Sequence, residues 1–357
     1  SSTTTFGEII RLAGIGNSQA LKDIVALGEK EQWMLDSLDI NIDPNAVLGQ
    51  GSFGRVMAGE FCDTPVAVKC CRTERDCVGV VENILNELNV LCRVRHPNIV
   101  VFCGAYLNST LNGSLDLMIV LEKVSGITLR SYVSKLKAWK PDSPQSSHQV
   151  QVMKDVCRAL IYMHSRRPCI VHSDLKPSNI MVESRAAGPF PKLLDFGLSR
   201  RATHNATITG GTVNYAAPEA FDPNCTPRPP IDIFATGLML FFVSSAREPT
   251  QITAQNQGES AGGGPPGARH QLMQWLPSTA LLRGQRPLID LCTAMQPDQR
   301  PSAKEVYEKL TTWRVACVTG TPPRTQKAPL LGRQLSAGKN PDPIKEEEEE
   351  PTDHIKK

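Results

Sequence analysis

Apolar and polar residues follow two rhythms along this chain, and the change of rhythm divides it. Val47-Leu48, Arg55-Val56-Met57 and Val66-Ala67-Val68 are short apolar or β-branched runs around a cluster of glycines. That pattern predicts an antiparallel sheet, with folding proper beginning near Asp39-Ile40-Asn41-Ile42. From Asp76 to Arg93 the period lengthens, and Val80, Ile84, Leu88 and Leu91 recur at helical spacing. His96-Pro97-Asn98 breaks that helix, and Ile99-Val100-Val101-Phe102 and Leu117 to Leu121 predict two further strands. After Gly126 the spacing is helical. Gln151 to His164 places Met153, Val156, Leu160 and Met163 on one face, and Asp232 to Ser245 is apolar almost throughout, as a buried helix requires. Ser302 to Cys317 carries Val306, Leu310 and Trp313 on one stripe, behind Pro301 at its start. The expected fold class is α+β, a small antiparallel sheet lobe with one helix followed by a larger, mainly helical lobe.

Several segments fall outside these rhythms. Residues 1–42 read as an N-terminal extension, helical in character from Ala20 to Leu38. Lys140 to Ser147 is polar with two prolines, and Thr250 to Arg269 contains Gly262-Gly263-Gly264-Pro265-Pro266-Gly267; both predict irregular chain. Residues 318–357 are Pro- and Gly-rich and then acidic, with five glutamates from Glu346 to Glu350, the composition of a disordered tail. The 357 residues suffice for two domains or one two-lobed domain, and 40% hydrophobic residues supply a core. A net charge of +3 is too small to argue for nucleic acid or an anionic membrane as partner. No apolar stretch reaches the roughly 18 residues of a membrane span, and Ser1 to Thr5 carry no feature of a secretory signal. The first residue is not Met, which leaves the chain open to being a piece of a longer one. Its 11 cysteines include no CxxC pair, which favours buried thiols in a reducing intracellular compartment over zinc ligands or disulfides.

The chemistry concentrates in two neighbouring stretches. Ile170-Val171-His172-Ser173-Asp174-Leu175-Lys176-Pro177-Ser178-Asn179 is followed sixteen residues after Asn179 by Asp195-Phe196-Gly197. Together they offer a proton acceptor, a phosphate-facing lysine and two oxygen ligands for a metal, the equipment for moving a phosphoryl group from ATP to a hydroxyl. Upstream lies Gly49-Gln50-Gly51-Ser52-Phe53-Gly54-Arg55-Val56. Such a glycine pattern also fits a dinucleotide fold. Here it stands between two strands and not between a strand and a helix, and no acidic ribose contact follows at the expected distance. Lys69 ends the run Val66-Ala67-Val68, thirteen residues after Val56. Its long stem needs a carboxylate, for which Glu87 is the best partner and Glu82 the fallback.

In this order the motifs resemble those of eukaryotic protein kinases, over about residues 43–316. The resemblance implies a bilobal kinase fold, with a domain at 43–317 made of an N-lobe at 43–121, a hinge at 122–126 and a C-lobe at 127–317. It implies that Gly49, Gln50, Gly51, Ser52, Phe53 and Gly54 approach the phosphates of ATP and that Val56, Ala67 and Met181 line its base. The backbone of Glu122 and Val124 would bind adenine beside Leu121 as a large gatekeeper. Lys69, fixed by Glu87, would hold the α- and β-phosphates. Asp174 would be the base, Lys176 would neutralise the γ-phosphate, and Asn179 and Asp195 would bind Mg²⁺, with Mn²⁺ as a substitute. Gly211 to Glu219 looks like the end of an activation segment. Glu219 paired with Arg300, and Asp232 anchoring the catalytic-loop backbone, would brace the helical lobe. Leu91, Phe102, His172 and Phe196 would stack as a hydrophobic column between the lobes. Lys176 and Thr212 follow the serine/threonine pattern, so the implied partner is a protein with Ser or Thr acceptors. Trp33-Met34-Leu35-Asp36 resembles the entry of the tyrosine-kinase-like group.

Two departures from the family stand out. The residue before Asp174 is Ser173 where the family usually has Arg, so the usual ion pair with a phosphorylated activation segment cannot form. Activity is therefore expected to depend little on phosphorylation of that segment, although Ser199, Thr203, Thr207 and Thr209 are candidate phosphosites and Arg200-Arg201 a candidate phosphate contact. The Gly/Pro insert after Glu248 replaces or displaces a substrate-docking helix, with Leu272 to Leu276 as its remnant. The alternatives to a Ser/Thr kinase are a pseudokinase scaffold and a small-molecule phosphotransferase. Lys69, Asp174, Asn179 and Asp195 are all present, against the first, and the segment Thr212 to Glu219 argues against the second. The sequence sets no oligomeric state.

Overall fold

Alternating side chains along one strand serve two cores. The computed structural model describes residues 26, 28–51, 54–72, 86–109, 115–136, 146–201, 214–222, 224–249 and 280–318. Strands β1 (Ile40–Gly51), β2 (Gly54–Phe61), β3 (Thr64–Arg72), β4 (Phe102–Ser109) and β5 (Leu115–Glu122) form an antiparallel sheet in the order β1-β2-β3-β5-β4. On β3, Val66 and Val68 join Ile40, Tyr106, Met118 and Val120 in a small outer cluster. Cys71 points the other way, into the main core with Leu117, Ile119, Leu88 and Leu91. The two-residue period of a strand thus carries Lys69, two positions before Cys71, to the inner face.

That inner face packs beside the helical segment 86–91, which brings in Glu87, Leu88, Val90 and Leu91, all buried. Residues 73–85, including the rest of the expected helix and Glu82, lie outside the described residues. Segment 99–102 is strand only from Phe102 onward; Ile99 instead makes an isolated parallel bridge to Leu193. The α-helix expected through Leu38 ends near residue 30, and a single 3₁₀ turn follows at Ser37–Asp39. Between them Met34 bridges Ala105 in parallel, with Leu35 N–H donating to the Ala105 carbonyl at 2.9 Å and Ala105 N–H to that of Trp33 at 3.0 Å. This short run covers the exposed edge of β4. Trp33 packs edge-on against Phe102, ring centroids 5.8 Å apart.

Beyond the hinge come β6 (Gly126–Thr128), α1 (Leu129–Leu136), α2 (Ser146–His164), β7 (Ile170–Val171), β8 (Ile180–Arg185), β9 (Gly188–Leu193), β10 (Arg200–Arg201), α3 (Pro230–Ser245), α4 (Ala280–Cys292) and α5 (Ala303–Val318). Ser146-Ser147, expected in irregular chain, begin α2 instead. The short strands β6, β8 and β9 form one sheet, and β7 pairs with β10. β6, β7 and β10 are too short to display a period, and β8 and β9 lack apolar–polar alternation, so none was legible as a strand. Helix α3 is buried from Ile231 to Ser244 and serves as the lobe's central post. Each large side chain removed from water there contributes about 1.5–3 kcal/mol. Gly237 lets α4 approach: a Cβ there would lie 2.7 Å from that of Cys292. Helix α5 packs on α2 and starts with a reciprocal cap. Glu305 N–H donates to Ser302 Oγ at 3.3 Å, and Glu305 accepts from Ser302 N–H at 2.7 Å. Among the described residues no helix is long and apolar enough to cross a membrane.

Candidate active site

Three loops converge because each is pinned to a regular element. The glycine hairpin closes through the pairs Gly49↔Val56, Gln50↔Arg55 and Gly51↔Gly54. Gly54 has φ +134°, and a Cβ there would fall 2.0 Å from the Cys70 carbonyl oxygen. Only glycine lets β2 run this close to β3. Gly49 has open space where its Cβ would be, so nothing among the described residues requires that glycine. The hairpin tip, Ser52-Phe53, lies outside the described residues. Val56 stands opposite Lys69 on β3, and Ala67 opposite Leu121 on β5. Met181 on β8 is half-buried, as is Val124 in the hinge.

Lys69 is the point where the lobes meet. Its Nζ lies 2.7 and 2.8 Å from the two Glu87 carboxylate oxygens and 3.0 Å from Asp195 Oδ1. Burial works to lower the Lys69 pKa, but Glu87 and Asp195 outweigh it and hold the ammonium well above its ordinary value. Burial likewise pushes the Asp195 carboxyl up, and Lys69 more than reverses this, leaving it below the usual carboxylate range. Burial raises the Glu87 carboxyl against the pull of Lys69 and of a backbone hydrogen bond from Phe196. Asp195 itself takes φ +55°, in the left-handed region, which turns the chain sharply at Asp195-Phe196-Gly197.

The loop from His172 to Asn179 is held from below. Asp232, fully buried at the start of α3, accepts from His172 N–H and Ser173 N–H at 2.9 Å each and contacts His164 Nε2 at 2.8 Å. Ser173 takes φ +66°, and its Oγ finds no hydrogen-bond partner among the described residues. Asp174 Oδ2 accepts from Lys176 Nζ at 2.6 Å and from Asn179 Nδ2 at 3.0 Å. Asn179 Nδ2 also donates to the Asp174 carbonyl at 2.9 Å, and the Asn179 carbonyl accepts from Leu194 N–H at 2.8 Å. That last bond ties the base loop to the residue preceding Asp195. His172 and Phe196 stack at 5.1 Å, and Leu91 and Phe102 are buried in the same core.

Glu219 and Arg300 meet in a two-pronged ion pair, Nη1–Oε1 at 2.5 Å and Nη2–Oε2 at 2.8 Å. Arg300 also donates to the carbonyls of Ala294 and Pro230 and lies over the Phe234 ring. Ser199 requires a correction. It is fully buried and its hydroxyl donates to the His172 carbonyl at 3.0 Å, so a modifying enzyme cannot reach it in this conformation. Thr203, Thr207, Thr209, Thr212 and the insert at 250–269 lie outside the described residues. Three polar groups at the site were not anticipated. Asn98 Nδ2 donates to the Pro191 carbonyl at 2.8 Å, Lys192 pairs with Glu122, and Tyr215 donates to Glu248, which also pairs with Arg130. All join residues far apart in sequence, and spacing carries no signal of them.

Comparison with known proteins agrees with this fold. The model of the protein kinase domain matches residues 43–310, and the chain belongs to that family. A probable serine/threonine-protein kinase of Dictyostelium discoideum is 30% identical over 77% of this chain and 25% of its own length. Arabidopsis thaliana contributes the serine/threonine-protein kinase VIK, 27% identical over 79% of this chain and 62% of its own. Its kinase CTR1 is 30% identical over 59% of this chain and 24% of its own. The chain thus spans less than two thirds of the length of each of these relatives. Membership implies use of ATP and a divalent metal in general terms.

Proposed function

We propose that this chain transfers the γ-phosphoryl group of Mg-ATP to serine or threonine hydroxyls of proteins, as a member of the tyrosine-kinase-like group. The observation that carries the reading is Lys69 on β3 held between Glu87 of the helical segment 86–91 and Asp195 of the loop after β9. The donor set fits a hard cation. Asp195 offers an ionised carboxylate and Asn179 an amide oxygen. Mg²⁺ held by one or two such groups shares the rest of its coordination with substrate phosphates and water. When bound, the metal neutralises charge on those phosphates.

The remaining work falls to side chains. Lys69 holds the α- and β-phosphates, its stem fixed by Glu87. Asp174 orients the acceptor hydroxyl and takes its proton, and Lys176, 2.6 Å from Asp174, offsets charge on the γ-phosphate. The names of the three relatives support the serine/threonine assignment.

The test is transfer of labelled γ-phosphate from Mg-ATP to a generic basic protein, followed by phosphoamino-acid analysis. Wild type should label serine and threonine. Asp174→Asn and Lys69→Met should each lose at least about 10²-fold in kcat/KM while staying folded. Label on tyrosine would refute the residue specificity. Metal-dependent nucleotide binding without transfer would leave a scaffold, and full turnover in Asp174→Asn would refute the base.

A further inference from the structure

Lys192 stands three residues before Asp195 on β9, only 5% exposed. Its Nζ lies 2.5 Å from Glu122 Oε1, at the end of β5 where the hinge begins. The same carboxylate oxygen accepts from Val101 N–H at 2.8 Å, and Glu122 N–H donates to the Val101 carbonyl at 3.0 Å. One carboxylate therefore joins the hinge, the approach to β4 and the strand that leads to the metal loop.

The register adds a second link. Lys192 is the cross-strand partner of Met181, so the two side chains leave their sheet on the same face. Below them β9 cannot slide. Leu193 N–H donates to the Asn98 carbonyl at 2.9 Å, Val100 N–H to the Leu193 carbonyl at 3.0 Å, and Asn98 Nδ2 to the Pro191 carbonyl. Three extended residues cover about 10 Å. A fixed point at Lys192 thus sets the reach from the hinge to Asp195. A buried ammonium cannot leave its counter-charge without a large desolvation penalty, whereas the Glu122 side chain, 27% exposed, can turn to water if Lys192 is lost.

We propose that Lys192 is a positioning residue: its ion pair with Glu122 locks the hinge to the strand carrying Asp195, setting the span over which the base and phosphates of one nucleotide are held together. This rests on the kinase reading above. Its signature is a KM effect for Mg-ATP, because the residue touches neither the acceptor hydroxyl nor the base that serves it.

The test is a double-mutant cycle in steady-state kinetics on the full chain, with Mg-ATP varied and melting temperature recorded on each preparation. Lys192→Met should raise KM for Mg-ATP about tenfold while kcat falls less than about threefold, and Lys192→Arg should stay within about threefold of wild type in both. Combined with Glu122→Gln, Lys192→Met should raise KM no further than the larger single effect, since both remove one link. An unchanged KM with only a lower melting temperature, or strictly additive effects, would overturn the proposal. Should Lys192→Met not fold, Lys192→Gln takes its place. If the wild type transfers no phosphate, the kinase reading fails first, and the same cycle read by Mg-ADP affinity decides the inference.

Discussion

Removing the carboxylate of Glu219 should unseat the helical lobe more than any surface substitution of the same size. The Arg300 side chain is wholly buried and that of Glu219 is 18% exposed. In Glu219→Ala the guanidinium keeps its bonds to the Ala294 and Pro230 carbonyls and its place over Phe234, but it stays buried without its counter-charge. Breaking a buried pair costs roughly 3–5 kcal/mol, and the partial exposure of Glu219 puts this one near about 3. That is a roughly 10²-fold change in the ratio of folded to unfolded protein. Equilibrium urea denaturation, followed by circular dichroism, measures it directly. The double variant Glu219→Ala/Arg300→Leu should lose less than the sum of the single variants by more than about 1 kcal/mol, because no stranded charge remains. A cost below about 1 kcal/mol for Glu219→Ala would show that the guanidinium does not need this partner, and the argument from burial would fail.

Gly54→Ala should cost about 2–3 kcal/mol and weaken Mg-ATP binding, as its Cβ would meet the Cys70 carbonyl; thermal melting and KM check both. His96 sets a pH dependence. Burial, with Arg158 nearby, lowers its pKa below the free-chain value of 6.5, so the unfolded chain takes up the proton first as pH falls. The stability it confers above pH 6.5 is lost on acidification, and His96→Asn should flatten the fall in melting temperature between about pH 7.5 and 5.5. The triple variant Thr203→Ala/Thr207→Ala/Thr209→Ala should keep its phosphotransfer rate, since Ser173 carries no charge for a phosphate to pair with; loss of activity would refute that independence.

Much of this site is legible in the chain itself. The order and spacing of the glycine cluster, Lys69, Asp174, Asn179 and Asp195 announce the chemistry, because phosphoryl transfer needs a phosphate-facing lysine together with a base and metal ligands on adjacent loops. The choice of Glu87 as partner of Lys69 follows from helical spacing, and the two are in contact at 2.7 Å. The pairing of Glu219 with Arg300 came from resemblance to a family, not from any local pattern. Periodicity also marks α3 as buried, since an apolar residue at nearly every position leaves no face for water.

Other features belong to the tertiary structure alone. Ser199 reads as an accessible hydroxyl in a polar stretch, yet its burial against the His172 carbonyl is decided by how two loops pack. The run Trp33 to Leu35 lies inside the stretch of helical character from Ala20 to Leu38, but the free edge of β4 offers its backbone other partners. Nothing local in the sequence marks Lys192; the fold carries Glu122, seventy residues earlier, to within 2.5 Å of it. Local pattern determines which elements form, because propensity and period are properties of neighbours along the chain. Which buried charge finds which counter-charge depends on contacts across long loops, and only the folded arrangement supplies them.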